Sequence, residues 1–369
     1  MKVMIYHAPY RLNPNAMSAS GIRPVRMLEA FRELGYRVLE VTGTSKQRKL
    51  AIRSVKEFVA NGGLVDFTYS ESSTMPTTLT DSHHLPLRLF LDASFFRYLK
   101  RHDIPVGVFY RDVYWKFPEY LRAVNRIVAL GTRALYRFDL LVYRRWVDRL
   151  YLPSLKMGVE VPIIRPDQHE SLPPGCTIVD PVGDPDGDLT IFYVGGLGDY
   201  YRLHEGMRTV GQVDGARLIV CTSKVLWDQL ASGYADVVNS SVEIVHASGT
   251  ELEEFYRRAT ICSLFLEPIP YREFASPMKL YEYIGHGRPV IASEGTLSGT
   301  FVAEHNIGWT IPYASDALTE LLARLLQNPD EVKSMSERVR EERHNHTWLA
   351  RARQVADGLT HPGAEREIA

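Results

Sequence analysis

SPMKLYEYIGHGRPVIAS, residues 276–293, reads as a cap, a short helix, a turn and a buried strand. Ser276 is a good helix N-cap, and Pro277 suits the first helical position, where no amide hydrogen is needed. Leu280 and Ile284 share one helical face, and Lys279 and Glu282 share another. Gly285 and Gly287 can end the helix, and Pro289 to Ala292 then predicts a short interior strand. Lys279 does not fit a purely structural helix. A cation in the first turn is unfavourable by roughly 0.3–1 kcal/mol unless an anion binds there too. Helix-start backbone at Ser276, Pro277 and Met278, a positive dipole end and a lysine together describe a phosphate site. Glu282, one turn on, can accept hydrogen bonds from sugar hydroxyls. The alternative is a solvated Lys279 with Glu282 as its surface ion-pair partner.

Working outward, strand patterns alternate with helix patterns on both sides. Leu189 to Val194 predicts a strand running into Gly195-Gly196, where the missing side chains let backbone approach a diphosphate closely. Arg202 is the nearest following cation. Ala216 to Cys221, Val242 to His246 and Thr260 to Leu266 are further strands, with a helix over Glu251 to Ala259. In the first half, Lys2 to His7, a helix over Arg23 to Leu34, and Tyr36 to Val41 form a β–loop–α–β unit. No GxGxxG joins its strand and helix. Glu71 to Pro86 is polar and expected to be an exposed loop. Pro105 to Tyr110 is a strand ending in Arg111-Asp112, and ligands of open α/β sheets bind at such carboxyl ends. Over Arg122 to Leu152, a helical wheel puts Leu135, Phe138, Val142 and Trp146 on one side, with Arg133, Arg137 and Arg144 opposite. Pro and Gly crowd into 161–188, including Leu172-Pro173-Pro174-Gly175, which marks a connection. The expected division is a first domain over 1–170, a linker over 171–187, a second domain over 188–345, and a last helix and tail over 346–369.

The 276–293 pattern, S-P-x-K-L-x-E-Y followed by G-x-P-V and Ala292, resembles the donor-site segment of GT-B glycosyltransferases of the family-4-like, group 1 kind. The resemblance implies two Rossmann-like α/β domains with doubly wound parallel sheets facing across a cleft. It implies a nucleotide-sugar donor, expected to be UDP-linked, held by the second domain. The glutamate matching Glu282 would hold the ribose, the helix start with Lys279 and the Gly195-Gly196 loop would face the diphosphate, and Arg202 is a further phosphate ligand. The nucleotide base would lie near His246. In the first domain Gly21, Arg23 and Arg26 become cleft candidates and Ser298 to Thr300 a donor-touching loop in the second. Asp112 would deprotonate an acceptor hydroxyl if it faces the cleft, and would otherwise pair with Arg111 or cap the next helix. Many retaining members carry a second glutamate where this chain has Phe274, so the stereochemical outcome does not carry over. The final helix is expected to cross back onto the first domain, with Trp348 as anchor.

Length and composition are those of a soluble globular protein with room for two domains. The 369 residues are 45% hydrophobic and 24% charged, with a net charge of −1. That neutrality conceals a basic first half: residues 1–170 hold 26 Lys and Arg against 16 Asp and Glu. Its partner would be an anionic membrane surface or a phosphate-bearing acceptor. Nucleic acid is disfavoured, because no recognition motif accompanies the charge. Three scattered cysteines without a CxxC pair suggest a reducing compartment and no structural zinc. His83-His84 and the pair His344 and His346 make poor metal ligands by spacing, so no metal and no separate cofactor are expected. No signal peptide or spanning helix is expected, which predicts a cytoplasmic enzyme with a candidate peripheral contact on the inner membrane face. The expected reaction moves a sugar to a hydroxyl of a glycan or lipid-linked acceptor in surface polysaccharide or glycoconjugate synthesis. The rivals are a nucleotide-sugar 2-epimerase of the same fold and a non-catalytic glycan- or partner-binding protein.

Overall fold

The computed structural model describes residues 1–16, 18–117, 120, 124–180, 189–198 and 201–361. The chain divides into two compact units: Met1–Pro173 together with the segment from Trp348 onwards, and Pro174–Thr347. Each is built on its own six-stranded, all-parallel sheet. Of the expected linker, residues 181–187 lie outside the described residues, as do Arg122 and the tail beyond His361. Residues 174–180 belong to the second unit, where the Cys176 amide donates to His346 O at 2.7 Å.

In the first unit, β1 (Val3–His7), β2 (Arg37–Val41), β3 (Phe67–Glu71), β4 (Val106–Phe109), β5 (Arg149–Leu152) and β6 (His169–Ser171) stand in the order 2-1-3-4-5-6. The helices between them are α1 (Ala19–Glu33), α2 (Ser45–Ala60), α3 (Leu91–Arg101) and α4 (Arg126–Trp146). Two expectations hold only in part here. The stretch from Glu71 to Pro86 is continuously exposed only over 82–86. Glu71 ends β3 fully buried, and Ser72, Thr77 and Asp81 are buried too. The buried side of α4, formed by Ala129, Tyr136, Leu140, Val142 and Tyr143, shares only Val142 with the expected apolar face, whose Leu135, Phe138 and Trp146 are half-buried. The tyrosines decide the rotation: Tyr136 stacks on Trp115 at 5.1 Å and donates to Thr74 O at 2.6 Å. Arg133, expected outward, donates to the carbonyls of Trp115 and Lys116 at 3.1 Å.

In the second unit the strands are β7 (Leu189–Val194), β8 (Ala216–Cys221), β9 (Val242–Val245), β10 (Ile261–Leu264), β11 (Val290–Ser293) and β12 (Gly308–Ile311), in the order 12-11-10-7-8-9. Between and after them lie α5 (His204–Val210), α6 (Lys224–Leu230), α7 (Leu252–Arg258), α8 (Met278–Gly285), α9 (Leu297–Glu304), α10 (Ser315–Gln327) and α11 (Pro329–Glu342). Strands β7 and β10 are neighbours, and the chain order reverses between them. That is the switch point at which open α/β sheets bind ligands. The last helix, α12 (Trp348–Thr360), packs on α1 in the first unit. Among the described residues, no helix is long and apolar enough to cross a membrane.

Ser298 and Gly299, expected near the donor, are buried in the first turn of α9, and Gly299 N donates to the N-cap Thr296 Oγ1 at 2.9 Å. A Cβ on Gly299 would lie 2.2 Å from Ser293 O. Because that neighbour is backbone, Gly299→Ala should destabilise the chain by about 1–3 kcal/mol. By contrast, Gly131 lies inside α4, and a Cβ there would meet nothing within 4 Å. Gly131→Ala should therefore stabilise by about 0.5–1 kcal/mol. Urea unfolding of both variants checks the pair of signs.

Candidate functional site

The site of the second unit is assembled at the β7–β10 switch point. Strand β7 ends at Val194, whose amide donates to Tyr283 Oη at 3.1 Å. Gly195 follows with φ +153°, a conformation L side chains rarely adopt. A Cβ there would meet Lys279 Nζ at 1.8 Å. Gly195 therefore exists to let the lysine lie against the strand end. A Cβ on Gly196 would touch the Tyr201 ring at 3.0 Å. The expected glycine loop, the helix start and Lys279 are thus brought together.

The helix begins later than its sequence signals suggest. Pro277 is the N-cap of α8, not its first residue, and no side chain caps the end. Ser276 is not the cap: its hydroxyl bonds Tyr281 Oη at 3.1 Å. The ψ of 136° at Pro277 keeps it outside the helix. The helix start consequently offers amides from Met278 onward to a ligand rather than to its own side chains. Met278 is the first helical residue.

Lys279 is the electrostatic centre. Its ammonium donates to Tyr193 Oη at 3.2 Å and lies 4.7 Å from the Tyr193 ring and 4.4 Å from the Tyr201 ring. Among the described residues it has no carboxylate at ion-pair distance. Burial pushes its pKa down to about 8, the Glu282 charge opposing and the Arg272 charge reinforcing the shift. Arg272 was missed in the sequence reading. It is buried in a 3-10 turn over Pro270–Glu273, its guanidinium 5.6 Å from the Tyr201 ring centroid and donating to Glu267 O. The signal that could have found it is a cation seven positions before Lys279, in the segment joining β10 to α8. Two cations converge on one tyrosine, beside a helix start and a glycine turn. This arrangement suits an anion of high charge density, such as a diphosphate.

Glu282 is half-buried, its pKa raised by burial against the lowering charges of His286 and Lys279. His286 stacks on Tyr256 at 3.7 Å, and its Nδ1 lies 2.7 Å from Glu282 O. The reading of Glu282 as a surface ion-pair partner of Lys279 is not what the structure has: the two interact only at a distance, and the lysine bonds a tyrosine. Arg202 is exposed and lies 3.6 Å from the Glu267 carboxylate, so it stands at the rim of the cluster rather than inside it. His246 follows β9, two strands from Gly195, exposed, with Nδ1 2.8 Å from Thr222 O. Position 274 holds a buried phenyl against Tyr271 at 5.1 Å, so no carboxylate stands there.

The first unit has its own polar cluster at the ends of β1, β3 and β4. Arg23 Nε donates to Glu71 Oε1 at 3.1 Å, Tyr69 Oη to the same oxygen at 2.7 Å, and Arg111 Nη2 to Glu71 Oε2 at 3.4 Å. Arg111 also reaches Tyr10 Oη at 2.9 Å. Arg23 is therefore a buried structural partner of Glu71, and exposed Arg26 pairs with Glu29 at 3.1 Å. Gly21 is required for packing, since a Cβ would meet Ala16 Cβ at 2.4 Å. Asp112 follows this cluster, half-buried, with Oδ1 accepting from Tyr114 N at 2.9 Å.

With this geometry in view, comparisons with known proteins are informative. Residues 207–357 match the family described as glycosyl transferase-like. No curated protein matches the chain in sequence. Among solved structures, HepE of Anabaena, determined in complex with UDP and glucose, has a TM-score of 0.62 at 11% identity, over 98% of this chain and 100% of that one. Sucrose-phosphate synthase of Thermosynechococcus elongatus has a TM-score of 0.65 at 14% identity, over 97% and 98%. WaaG, a glycosyltransferase involved in lipopolysaccharide biosynthesis, has a TM-score of 0.56 at 15% identity, over 97% and 100%. The shared fold is that of two Rossmann-like α/β domains, and the matched domain covers the Lys279–Glu282 site. Residues 207–357 are thus similar to the glycosyl transferase-like family, and the whole chain shares the two-domain fold of these enzymes.

Only the ammonium form of Lys279 attracts an anion. Affinity for an inorganic or nucleoside diphosphate should fall as the pH rises through about 8, as the lysine loses its proton. Lys279→Met should bind weakly with that step removed, which calorimetric titration from pH 6.5 to 9.5 measures. Gly195→Ala should fold yet lose most of the affinity, because the displaced atom is the lysine's mobile end.

Proposed function

We propose that the chain transfers a sugar from a UDP-sugar to a hydroxyl of a glycan or lipid-linked acceptor, in surface polysaccharide or glycoconjugate synthesis. The observation that carries the reading is the half-buried Lys279 beside Arg272 at the switch point of the second sheet. The hard step in sugar transfer is the charge that builds on the departing diphosphate. Lys279, Arg272 and the α8 amides from Met278 onward are oriented before substrate arrives, so they stabilise that charge without reorganising. Glu282 would receive the ribose hydroxyls, and the base would lie toward His246. These two cations supply the positive charge at the leaving group, so the transfer is proposed to need no resident metal there. The uridine nucleotide is favoured by the UDP bound in the HepE structure, and the acceptor class by the role printed for WaaG. Asp112, at the carboxyl end of β4, is the proposed base for the acceptor hydroxyl.

A peripheral membrane contact is part of the same reading. The first turn of α4 exposes Ile127, Val128 and Leu130 beside Arg126. Apolar side chains with a basic neighbour at the start of a surface helix suit an anionic bilayer face.

A panel of nucleoside diphosphates should raise the melting temperature for UDP above the others, and Glu282→Ala and Lys279→Ala should each abolish the rise. Lys279→Ala should lower kcat by roughly 100- to 1,000-fold, the range seen when one preorganised donor to a developing anion is lost. A folded protein unmoved by every nucleotide would refute the donor site. Co-sedimentation with vesicles containing anionic lipid should fall with rising salt and fall further for Ile127→Ser with Leu130→Ser. Binding to neutral and anionic vesicles alike, or to neither, would refute the membrane contact.

A further inference from the structure

We propose that His305, Glu342 and His346 form a binding site for a divalent transition-metal ion of the zinc type. The three side chains come from different places in the second unit. His305 caps the C-terminus of α9, Glu342 is the last residue of α11, and His346 ends the 3-10 turn Arg343–His346. His305 Nδ1 lies 2.8 Å and His346 Nε2 3.0 Å from the same oxygen, Glu342 Oε1. All three donor atoms fall within 4.8 Å of one another.

Two imidazole nitrogens and a carboxylate are a donor set that zinc and its neighbours prefer. Bond lengths of about 2.0–2.2 Å in a tetrahedron place ligand atoms about 3.3 Å apart. The two nitrogen–oxygen separations are a few tenths of an ångström below that, so an ion enters with a small outward movement of side chains. The surroundings are arranged as they are around metal ligands. Glu342 Oε2 accepts from Asn345 Nδ2 at 3.1 Å, which fixes the carboxylate's rotation. The Phe301 ring walls the site on one side, 4.2 Å from His305 and 5.0 Å from His346. The neighbouring cation is turned away: Arg343 is spent on Val179 O, Gly285 O and Asp180. His305 and Glu342 remain partly exposed, so water can supply the fourth ligand. The sequence spacing gives no hint of this, because His305 stands 37 residues from Glu342. His344, which does sit near, is exposed and is not in the group.

The ion's role would be structural. His346 precedes by two residues the point where the chain leaves the second unit. Its ring also contacts Tyr281, whose hydroxyl bonds Ser276 at the start of the Lys279 helix. A bound ion would tie the exit of the unit to that helix.

The full chain, stripped with chelator and dialysed, should bind one Zn2+ per molecule. With Co2+ it should give the visible absorption of a tetrahedral nitrogen–oxygen site. His305→Ala and His346→Ala should each weaken binding at least 100-fold, while His344→Ala leaves it unchanged. Should the buried His346 variant fail to fold, the partly exposed His305→Gln carries the same expectation. Binding of less than one ion per chain, or unit stoichiometry unaltered in the His305 variants, overturns the proposal. Neither result depends on the glycosyltransferase reading, because the measurement uses the metal alone.

Discussion

Two positive side chains of the second unit approach the ring of one tyrosine. Lys279 and Arg272 approach Tyr201 with separations of 4.4 and 5.6 Å from its ring. A cation over an aromatic face gains about 0.5–2 kcal/mol, which offsets part of the desolvation that lowers the Lys279 pKa. The folded chain tolerates the arrangement because packing elsewhere fixes it. Tyr193, which carries the lysine's hydrogen bond, is buried and donates to Gly196 O at 2.7 Å. Tyr283 accepts from the Val194 amide at the end of β7. The site is positive before any ligand arrives, and that charge is fixed by the fold.

The parallel sheet is what makes such a placement possible. Its strands β7 and β10 are central and buried, so their carboxyl ends are held without choice. The glycines that follow β7 carry no side chain to fill the space, and the residues that follow β10 carry Arg272 and then Lys279. The candidate site is thus carried by a turn and a helix start that the buried core holds in place.

The sequence disclosed the apolar strands and the SPMK helix because hydrophobic periodicity and start signals are local. It misplaced the helix start by one residue, since Ser276 has a tyrosine partner five positions away that no capping rule anticipates. It missed Arg272, which sits in a single 3-10 turn without period. The helix over 126–146 was rotated because tyrosines were left out of the apolar face, although a buried phenol needs only one acceptor, and Tyr136 finds it at Thr74 O. Glu71 was read as loop polarity. Its burial is legible only through Arg23 and Arg111, 48 and 40 residues distant. Pairings at such range are properties of topology, not of spacing.

The first sheet is closed by a helix that comes last in the chain. Helix α12 lies against α1, and Leu359 reaches within 3.1 Å of where a side chain at Gly107 would stand. The whole of the second unit is encoded between those partners. During synthesis from the N-terminus, the second unit therefore has all its residues before the first has its final helix. The earlier-made half must wait on the ribosome with an apolar surface uncovered, and the order of completion reverses the order of the chain.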